Sequence, residues 1–222
     1  MNNFLGVSMP VPTLDPIALR VLGALLEKQM STPEYYPLTL NALVNACNQS
    51  SNRDPVLHLE ESAVLDGLET LRAEQLAWEV RGAGSRTTKY EHRVRERFDL
   101  SEQESAVLCE LMLRGPQTPG ELRSRTQRLY AFQDLAEVEA ALDCLESGPD
   151  RLAVKLPRQP GSRESRFAQV LGGDDDPRAT QPLSAPQGHE PAAPSLRDEV
   201  AALRSDLATL RAEFEAFRGQ LE

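Results

Sequence analysis

The sequence is poor in cysteine, in aromatic residues and in long apolar runs. Its three cysteines lie far apart without a CxxC pair, and its three histidines lack metal-ligand spacing, so we predict neither a disulfide framework nor a metal site. No stretch approaches the roughly 18 apolar residues of a membrane span, and the first residues lack the basic start and apolar core of a signal peptide. We therefore predict a cytoplasmic protein that does not enter a membrane.

Motifs of catalysis are missing as well. The 222 residues contain no Gly-rich phosphate loop, no nucleophile motif and no metal-ligand constellation. We therefore predict that the protein is not an enzyme and binds no cofactor. The net charge of −10 and the pI near 4.9 also disfavour a simple nucleic-acid binder, because Lys and Arg supply the contacts to phosphate.

Residues 15–98 have the pattern of three helices followed by a β-hairpin. Asp15, which precedes a proline, is typical of a helix N-cap, Thr39 can cap a second helix, and a third helix is predicted at about residues 60–74. Two strand-like runs around a Gly-rich turn follow within residues 76–94. Three helices and a hairpin, in this order, are typical of a winged-helix domain.

The same order recurs in residues 99–171. The apolar stripe of the third helix repeats 74 residues further on, from Val64 to Val138. Each helix of this second half starts at a Ser, Thr or Asp that is followed three residues later by Glu: Ser101 and Glu104, Thr118 and Glu121, and Asp134 and Glu137.

We predict a mainly α fold with small β-hairpins (α+β), built from two tandem winged-helix domains at residues 15–98 and 99–171. Residues 1–14 form an N-terminal tail in this division. The alternative is one undivided mixed α/β domain whose elements happen to recur. Residues 172–194 contain five prolines and one large aliphatic residue, which predicts a disordered linker.

Residues 195–222 have an unbroken heptad pattern, which predicts a C-terminal coiled-coil helix. All e positions are Arg and three of the four g positions are acidic, so a parallel pair brings opposite charges together. We predict a parallel homodimer, with a trimer, or a single helix folded back on its own chain, as alternatives. The predicted oligomerisation residues are Leu196, Val200, Leu203, Leu207, Leu210, Phe214, Phe217 and Leu221.

Eight strings in residues 14–171 occur in a specific order. They are LEKQ at 26–29, YPL at 36–38, ACNQ at 46–49, NRDP at 52–55, TKYE at 88–91, LRG at 113–115, QTPGELR at 117–123 and RESR at 163–166. On these strings the chain resembles the YceH-like family of uncharacterised bacterial tandem winged-helix proteins. The resemblance covers about two-thirds of the chain and implies the fold, but it implies no catalytic residue.

Charge is distributed unevenly along the two halves. The third helix is acidic in both, with one base in residues 60–74 and none in residues 134–146, so its insertion into a DNA groove would bring carboxylates to phosphates. Basic residues cluster instead on the hairpins and on the second helix of the second half; they are either phosphate contacts or ordinary solvated charges. The candidate phosphate contacts are Arg81, Arg86, Lys89, Arg93, Arg123, Arg125, Arg163 and Arg166.

These features predict a non-enzymatic DNA-associated or regulatory protein that contacts duplex DNA. The alternative is a protein-interaction adaptor whose acidic helices dock a basic partner protein. A small-molecule pocket near a polar turn is a further hypothesis, although such residues also satisfy the backbone groups of a loop. The residues of that turn are Tyr35, Tyr36, Asn48, Asn52 and Arg53.

Overall fold

The structure, a computed structural model, describes residues 10–81, 87–158 and 164–173. These residues all belong to one compact unit, Met1–Gln181. Most of the predicted linker and the whole predicted coiled coil lie outside the described residues. The described ranges form seven α-helices and two small antiparallel sheets. The prediction of a mainly α fold with small antiparallel β-elements is confirmed. None of these helices combines the length and the apolar character needed to cross a bilayer.

Helix α1, Pro16–Ser31, begins where the sequence predicts. The Asp15 carboxylate accepts hydrogen bonds from the N–H groups of Ile17 and Ala18 at 2.8 and 2.9 Å, and a proline occupies the first turn. All residues from Ala18 to Glu27 are buried. A helix that is covered around its whole circumference lies inside the fold.

The other elements of the first half surround α1 with two helices and a three-stranded sheet. They are β1 (Leu38–Thr39), α2 (Leu40–Cys47), α3 (Glu61–Ala73), β2 (Ala77–Val80) and β3 (Lys89–His92). The strand order is β1-β3-β2, so β3 lies between a short strand that precedes α2 and the strand that follows α3. Both pairings are antiparallel.

The second half repeats this order of elements. A short helix, α4 (Val94–Phe98), leads into α5 (Glu102–Arg114), α6 (Pro119–Arg125), α7 (Leu135–Ser147), β4 (Ala153–Lys155) and β5 (Phe167–Gln169). Strands β4 and β5 pair antiparallel, and an isolated bridge joins Gln117 to Phe167 on β5. Gln117 therefore takes the place that β1 has in the first half.

The predicted helix starts have three outcomes. Capping boxes of Ser101 with Glu104 and of Thr118 with Glu121 are present at the starts of α5 and α6. Asp134 caps α7 through the N–H of Glu137, but the Glu137 carboxylate accepts from the Gln133 N–H, so this box is incomplete. Glu60, the N-cap of α3, makes no side-chain cap hydrogen bond.

Helices α1 and α5 pack against each other and join the two halves. A Cβ added to Gly23 would lie 2.9 Å from Leu113 Cδ2, and the Cys109 thiol donates to the Gly23 carbonyl oxygen at 3.6 Å. The Leu14 N–H also donates to the carbonyl oxygen of Leu171, at 2.6 Å. The buried apolar side chains of both halves consequently form one cluster, and the division into two domains after residue 98 stays a prediction.

Candidate interaction site

The outer face of α3 presents carboxylates and a leucine to solvent. Glu61, Leu65 and Glu69 follow one another at every fourth residue, which places them on one face, and all three are exposed. Leu65 keeps 40% of its surface accessible. Within the described residues, no cation forms a salt bridge with Glu61, Glu69 or the adjacent Asp66. We refer to Glu61, Leu65, Asp66 and Glu69 as the α3 stripe.

Helix α7 has a matching stripe. Leu135, Glu139 and Asp143 also lie at every fourth residue and are exposed, each 74 positions after its counterpart in the α3 stripe. Leu135 keeps 39% of its surface accessible. An exposed leucine on the same face as exposed carboxylates therefore occurs on the third helix of both halves, at the first position of this stripe and at the second position of the α3 stripe. We refer to Leu135, Glu139 and Asp143 as the α7 stripe.

The one base on α3 does not neutralise its stripe. Arg72 Nη1 donates to Glu79 Oε1 on β2 at 3.1 Å, so the guanidinium is directed toward the sheet. The face of α3 that is free to meet a partner is consequently negative. Such a face attracts cationic groups and repels phosphates.

A buried ionic cluster lies where α1 meets α5. Glu27 on α1 and Glu110 on α5 are both fully buried. Arg53, from the loop after α2, donates Nη1 to Glu27 Oε1 at 2.9 Å and Nη2 to Glu27 Oε2 at 2.6 Å. Arg128, in the turn after α6, donates to Glu27 Oε1 and places the same nitrogen 3.6 Å from Glu110 Oε1. One guanidinium of the second half thus bridges carboxylates of both halves.

The two carboxylates of this cluster have opposite electrostatic environments. Burial acts to raise the pKa of Glu27, but the hydrogen bonds and charges of Arg53 and Arg128 outweigh it, and the pKa lies below its ordinary value of 4.5. Burial raises the pKa of Glu110 above that value, and the nearby Arg114 and Arg128 offset the rise only in part. The Arg114 Nε atom lies 3.0 Å from Glu110 Oε2, yet these contacts are ion pairs without the alignment of hydrogen bonds.

A second buried polar group holds the loop after α1 against the sheet. The backbone N–H of His92 donates to Tyr36 Oη at 2.6 Å, and its Nε2 lies 2.7 Å from Gln29 Oε1. Its Nδ1 accepts from the N–H of Val94 at 3.2 Å, so the proton is assigned to Nε2. Burial lowers the pKa of His92 to about 4, and the ring is therefore neutral near pH 7. Burial also raises the pKa of Tyr36.

Comparison with known proteins places the chain in a family. Residues 14–162 match the family described as "Protein of unknown function, DUF480". The chain belongs to this family. It is 50% identical to a UPF0502 protein of Opitutus terrae over 87% of this chain and 84% of that protein. It is also 49% identical to a UPF0502 protein of Geobacter sulfurreducens, over 94% of this chain and 98% of the other.

Two of the candidate phosphate contacts of the first half, Arg81 and Arg93, lie apart on the DUF480 chain. Arg81 follows β2 and lies 3.8 Å from Glu79, whereas Arg93 follows β3 and donates to Glu91 at 2.7 Å. The register pairs the start of β2 with the end of β3, so these two arginines lie at opposite ends of the hairpin. Lys89 pairs with Val80, so it lies at the Arg81 end of the hairpin, and it is half-buried.

In the second half, two of the candidates converge on one carboxylate. Arg125 Nη2 lies 3.7 Å from Glu121 Oε1, and Arg166 Nη1 donates to Glu121 Oε2 at 2.7 Å. Burial acts to raise the pKa of Glu121, but the hydrogen bond from the Thr118 backbone and the charges of Arg166 and Arg125 outweigh it, so the pKa lies below its ordinary value of 4.5. Arg123 donates to the carbonyl oxygen of Gln133 at 2.8 Å. Three of the four candidates of the second half therefore have contacts inside the protein: Arg123, Arg125 and Arg166.

Several predicted residues lie elsewhere. Arg86, Arg163 and the whole predicted oligomerisation seam are outside the described residues. In the polar turn, Asn48 accepts from the N–H of Leu59 at 2.7 Å and donates to its carbonyl oxygen at 2.8 Å, which is the backbone-satisfying role. Arg53 is part of the buried cluster. Within the described ranges, no group of three or more His, Cys, Asp or Glu side chains is arranged to hold a metal ion.

Proposed function

We propose that this DUF480 protein is a non-enzymatic tandem winged-helix adaptor whose third helices dock a basic, partly apolar segment of a partner protein. The observation that carries the proposal is the α3 stripe, where Leu65 is exposed among carboxylates without salt bridges in the described part of the chain. The α7 stripe repeats this chemistry. A single exposed leucine is common on protein surfaces, so the support for the proposal comes from the recurrence of a leucine and exposed carboxylates on the third helix of both halves.

The winged-helix component rests on the order of elements. Each half runs from a long buried helix through a short strand or bridge to two helices and a hairpin. In the first half the short strand joins the hairpin to give the order β1-β3-β2. This arrangement favours a winged-helix assignment for both halves, and it leaves the outer faces of α3 and α7 available as docking surfaces.

DNA association is the second candidate. Arg81 and Arg93 keep 74% and 44% of their side chains exposed next to the first hairpin, which suits phosphate contacts from a wing. Both arginines already face carboxylates of the sheet, however, and the carboxylates of the α3 stripe repel phosphate. Electrostatics therefore favours the protein partner.

A binding assay with two defined probes separates these candidates. The full-length protein is titrated against a labelled synthetic helical peptide, with Leu at positions i, i+3, i+4 and i+7 and Lys at the other positions, and against a labelled duplex DNA, over a range of salt concentrations. The α3 variant is Glu61→Gln/Asp66→Asn/Glu69→Gln, and the matched control removes three exposed carboxylates elsewhere: Glu34→Gln/Glu96→Gln/Glu102→Gln.

We expect the peptide to bind the native chain, and the α3 variant to bind it at least about fivefold more weakly, with less than about a twofold change in the control. Equal loss in both triple variants would show that general charge, and not the α3 stripe, binds the peptide. Duplex binding that exceeds peptide binding near physiological salt, and that weakens in Lys89→Gln and Arg93→Gln variants, would replace the adaptor by the DNA candidate.

The parallel coiled-coil homodimer stays part of the proposal on the strength of the heptad pattern alone. Sedimentation of the chain cut after Pro194 should give a monomer, and the full chain a dimer. A truncated chain that still sediments as a dimer would move the interface into residues 1–194.

A further inference from the structure

A groove opens between the start of the second half and the end of α7. It has a volume of about 630 Å³, within the range of roughly 300–1,000 Å³ that ligand sites occupy. Phe98, Leu100, Leu145 and Leu152 form its apolar floor. Three of these side chains belong to the buried core, and Leu100 packs against it. The base of the groove is therefore apolar and is continuous with the core. We call it the α7 groove.

The rim of the α7 groove is acidic. It contains Asp99, Glu104, Asp143 and Asp150, and neither Lys nor Arg is among the residues that line it. Arg151, the neighbouring base in the sequence, lies 3.7 Å from Glu146. A cation at this rim would be attracted by every charged side chain that lines the groove, while a hydrocarbon chain behind the cation could cover the apolar floor.

We propose that the α7 groove binds a lysine or arginine side chain of the partner segment, with its aliphatic stem on the floor and its charged end at the rim. The inference rests on the proposed function, because Asp143 belongs both to the rim and to the α7 stripe. A segment that docks along α7 reaches the groove at Asp143. The groove is therefore more selective than the stripe, because it requires a long basic side chain at one position of the partner segment.

Cys144 provides a built-in reporter for the groove. Its thiol lies on the lining and the residue is exposed, whereas Cys47 and Cys109 are buried. In thiol–disulfide exchange, the Cys144 thiolate attacks a symmetric disulfide, the protein gains one mixed disulfide, and one thiol is released. The partial burial of the thiol and the nearby Glu104 raise the pKa of Cys144, so exchange is run at mildly alkaline pH.

The experiment compares four thiols, each as its symmetric disulfide, on the full-length protein at exchange equilibrium. They are an aminomethyl-benzyl thiol, a methyl-benzyl thiol, a carboxy-benzyl thiol and 2-aminoethanethiol. All reagents react with the same cysteine, so the ratio of two adduct fractions does not depend on the intrinsic reactivity of the Cys144 thiol. Intact mass spectrometry reports the fraction of protein that carries each adduct.

We expect the aminomethyl-benzyl adduct to exceed the carboxy-benzyl adduct by about tenfold and the aminoethyl adduct by about threefold. In Glu104→Gln/Asp143→Asn the preference for the cation should fall to less than about twofold, while Glu34→Gln/Glu60→Gln, which removes two exposed carboxylates of the first half, should retain it. Glutamine at position 104 can still accept the Ser101 N–H, so the start of α5 is preserved.

Two results would overturn the inference. Equal capture of the cationic and anionic benzyl thiols would mean that the rim does not select charge. Equal capture of the aminomethyl-benzyl and aminoethyl thiols would mean that the floor does not receive the hydrocarbon part. The adaptor proposal is tested separately, through the α3 stripe, so a failure of the groove and a failure of the adaptor give different results.

Discussion

Replacing Glu27 by glutamine should destabilise the protein far more than the same replacement at Glu110. Both side chains are fully buried carboxylates on central helices, but the first has well-aligned cationic partners and the second does not. Removing one partner of a buried ion pair leaves the other charge uncompensated, which costs about 3–5 kcal/mol. We expect Glu27→Gln to lower the free energy of unfolding by about 3 kcal/mol, at the low end of that range.

The low end is expected because part of the environment of Arg53 survives. Its guanidinium also donates to the carbonyl oxygen of Ala46, at 2.7 Å from Nη2 and 3.2 Å from Nε, and Nη1 donates to the Asn52 carbonyl oxygen at 2.8 Å. Glutamine can supply one of the two acceptors that Glu27 provides. The loss is therefore one charge and one hydrogen bond to a buried cation, and charged hydrogen bonds contribute about 1.5–3 kcal/mol each.

Glu110→Gln is the matched control, with an expected change within about 1 kcal/mol in either direction. Its raised pKa indicates that the fold penalises the charged form, so glutamine removes a desolvation cost together with the ion pairs to Arg114 and Arg128. Urea unfolding followed by far-UV circular dichroism gives both free energies. Equal destabilisation by the two substitutions would refute the assignment of Glu27 as the anchor of the cluster.

The pH dependence of stability tests whether the pKa values of Glu27 and Glu110 shift in opposite directions on folding. The pKa of Glu27 is lowered on folding, so its contribution is present above the unfolded value of 4.5 and is lost as the pH falls through the folded value. The pKa of Glu110 is raised, so its contribution is present below 4.5 and is lost as the pH rises through the folded value. In Glu27→Gln the free energy of unfolding should fall less steeply as the pH is lowered below 4.5. In Glu110→Gln it should fall less steeply as the pH is raised above 4.5.

Three further substitutions test other parts of the structure. The neutral buried His92 has a pKa lowered from 6.5 to about 4, so this group alone should lower the stability by about 3 kcal/mol as the pH falls from 6.5 to 4, and His92→Gln should lose less stability than the native chain over that interval in urea unfolding. Gly23→Val places methyl groups against Leu113 and should cost about 1–3 kcal/mol by overpacking; an unchanged thermal midpoint would contradict the tight α1–α5 contact. Thr118→Ala removes the cap of α6 and should cost about 1 kcal/mol in urea unfolding, whereas Thr118→Ser should cost less than half of that.

The sequence predicted the parts of the fold that depend on local rules. Asp15, Ser101 and Thr118 cap helices as expected, because a cap needs only its own side chain and the next few N–H groups. The incomplete box at Asp134 differs because Glu137 is also hydrogen-bonded to Tyr130, a contact that depends on tertiary packing. Local spacing could not reveal it.

The ionic cluster was not predicted from the sequence, because it also depends on tertiary contacts. Glu27 is 26 residues from Arg53 and 101 from Arg128, and periodicity does not encode such separations. One signal was available: Glu27 directly follows Leu25 and Leu26 in a helix whose apolar positions are too dense for a single solvent-facing side. A charged residue in such a helix must find a buried partner. The contacts of Arg125 and Arg166 with Glu121 also depend on tertiary packing, so composition could not reveal them, and their role as phosphate contacts stays a prediction.

The contact between α1 and α5 links the buried cluster to the proposed function. Both stripes belong to the same compact unit, and Arg128 ties carboxylates of the two halves together, so the stripes are presented by one folded body and not by two independent ones. A partner with two basic segments would therefore meet the second stripe at a high effective concentration once the first is bound. Weak surface charge pairs, each worth less than about 1 kcal/mol, can support useful affinity only through such repetition. Glu27 belongs to neither stripe, but its carboxylate binds Arg128 and so helps to hold the two halves together. We therefore expect Glu27→Gln to weaken binding of a peptide with two basic segments more than binding of a peptide with one.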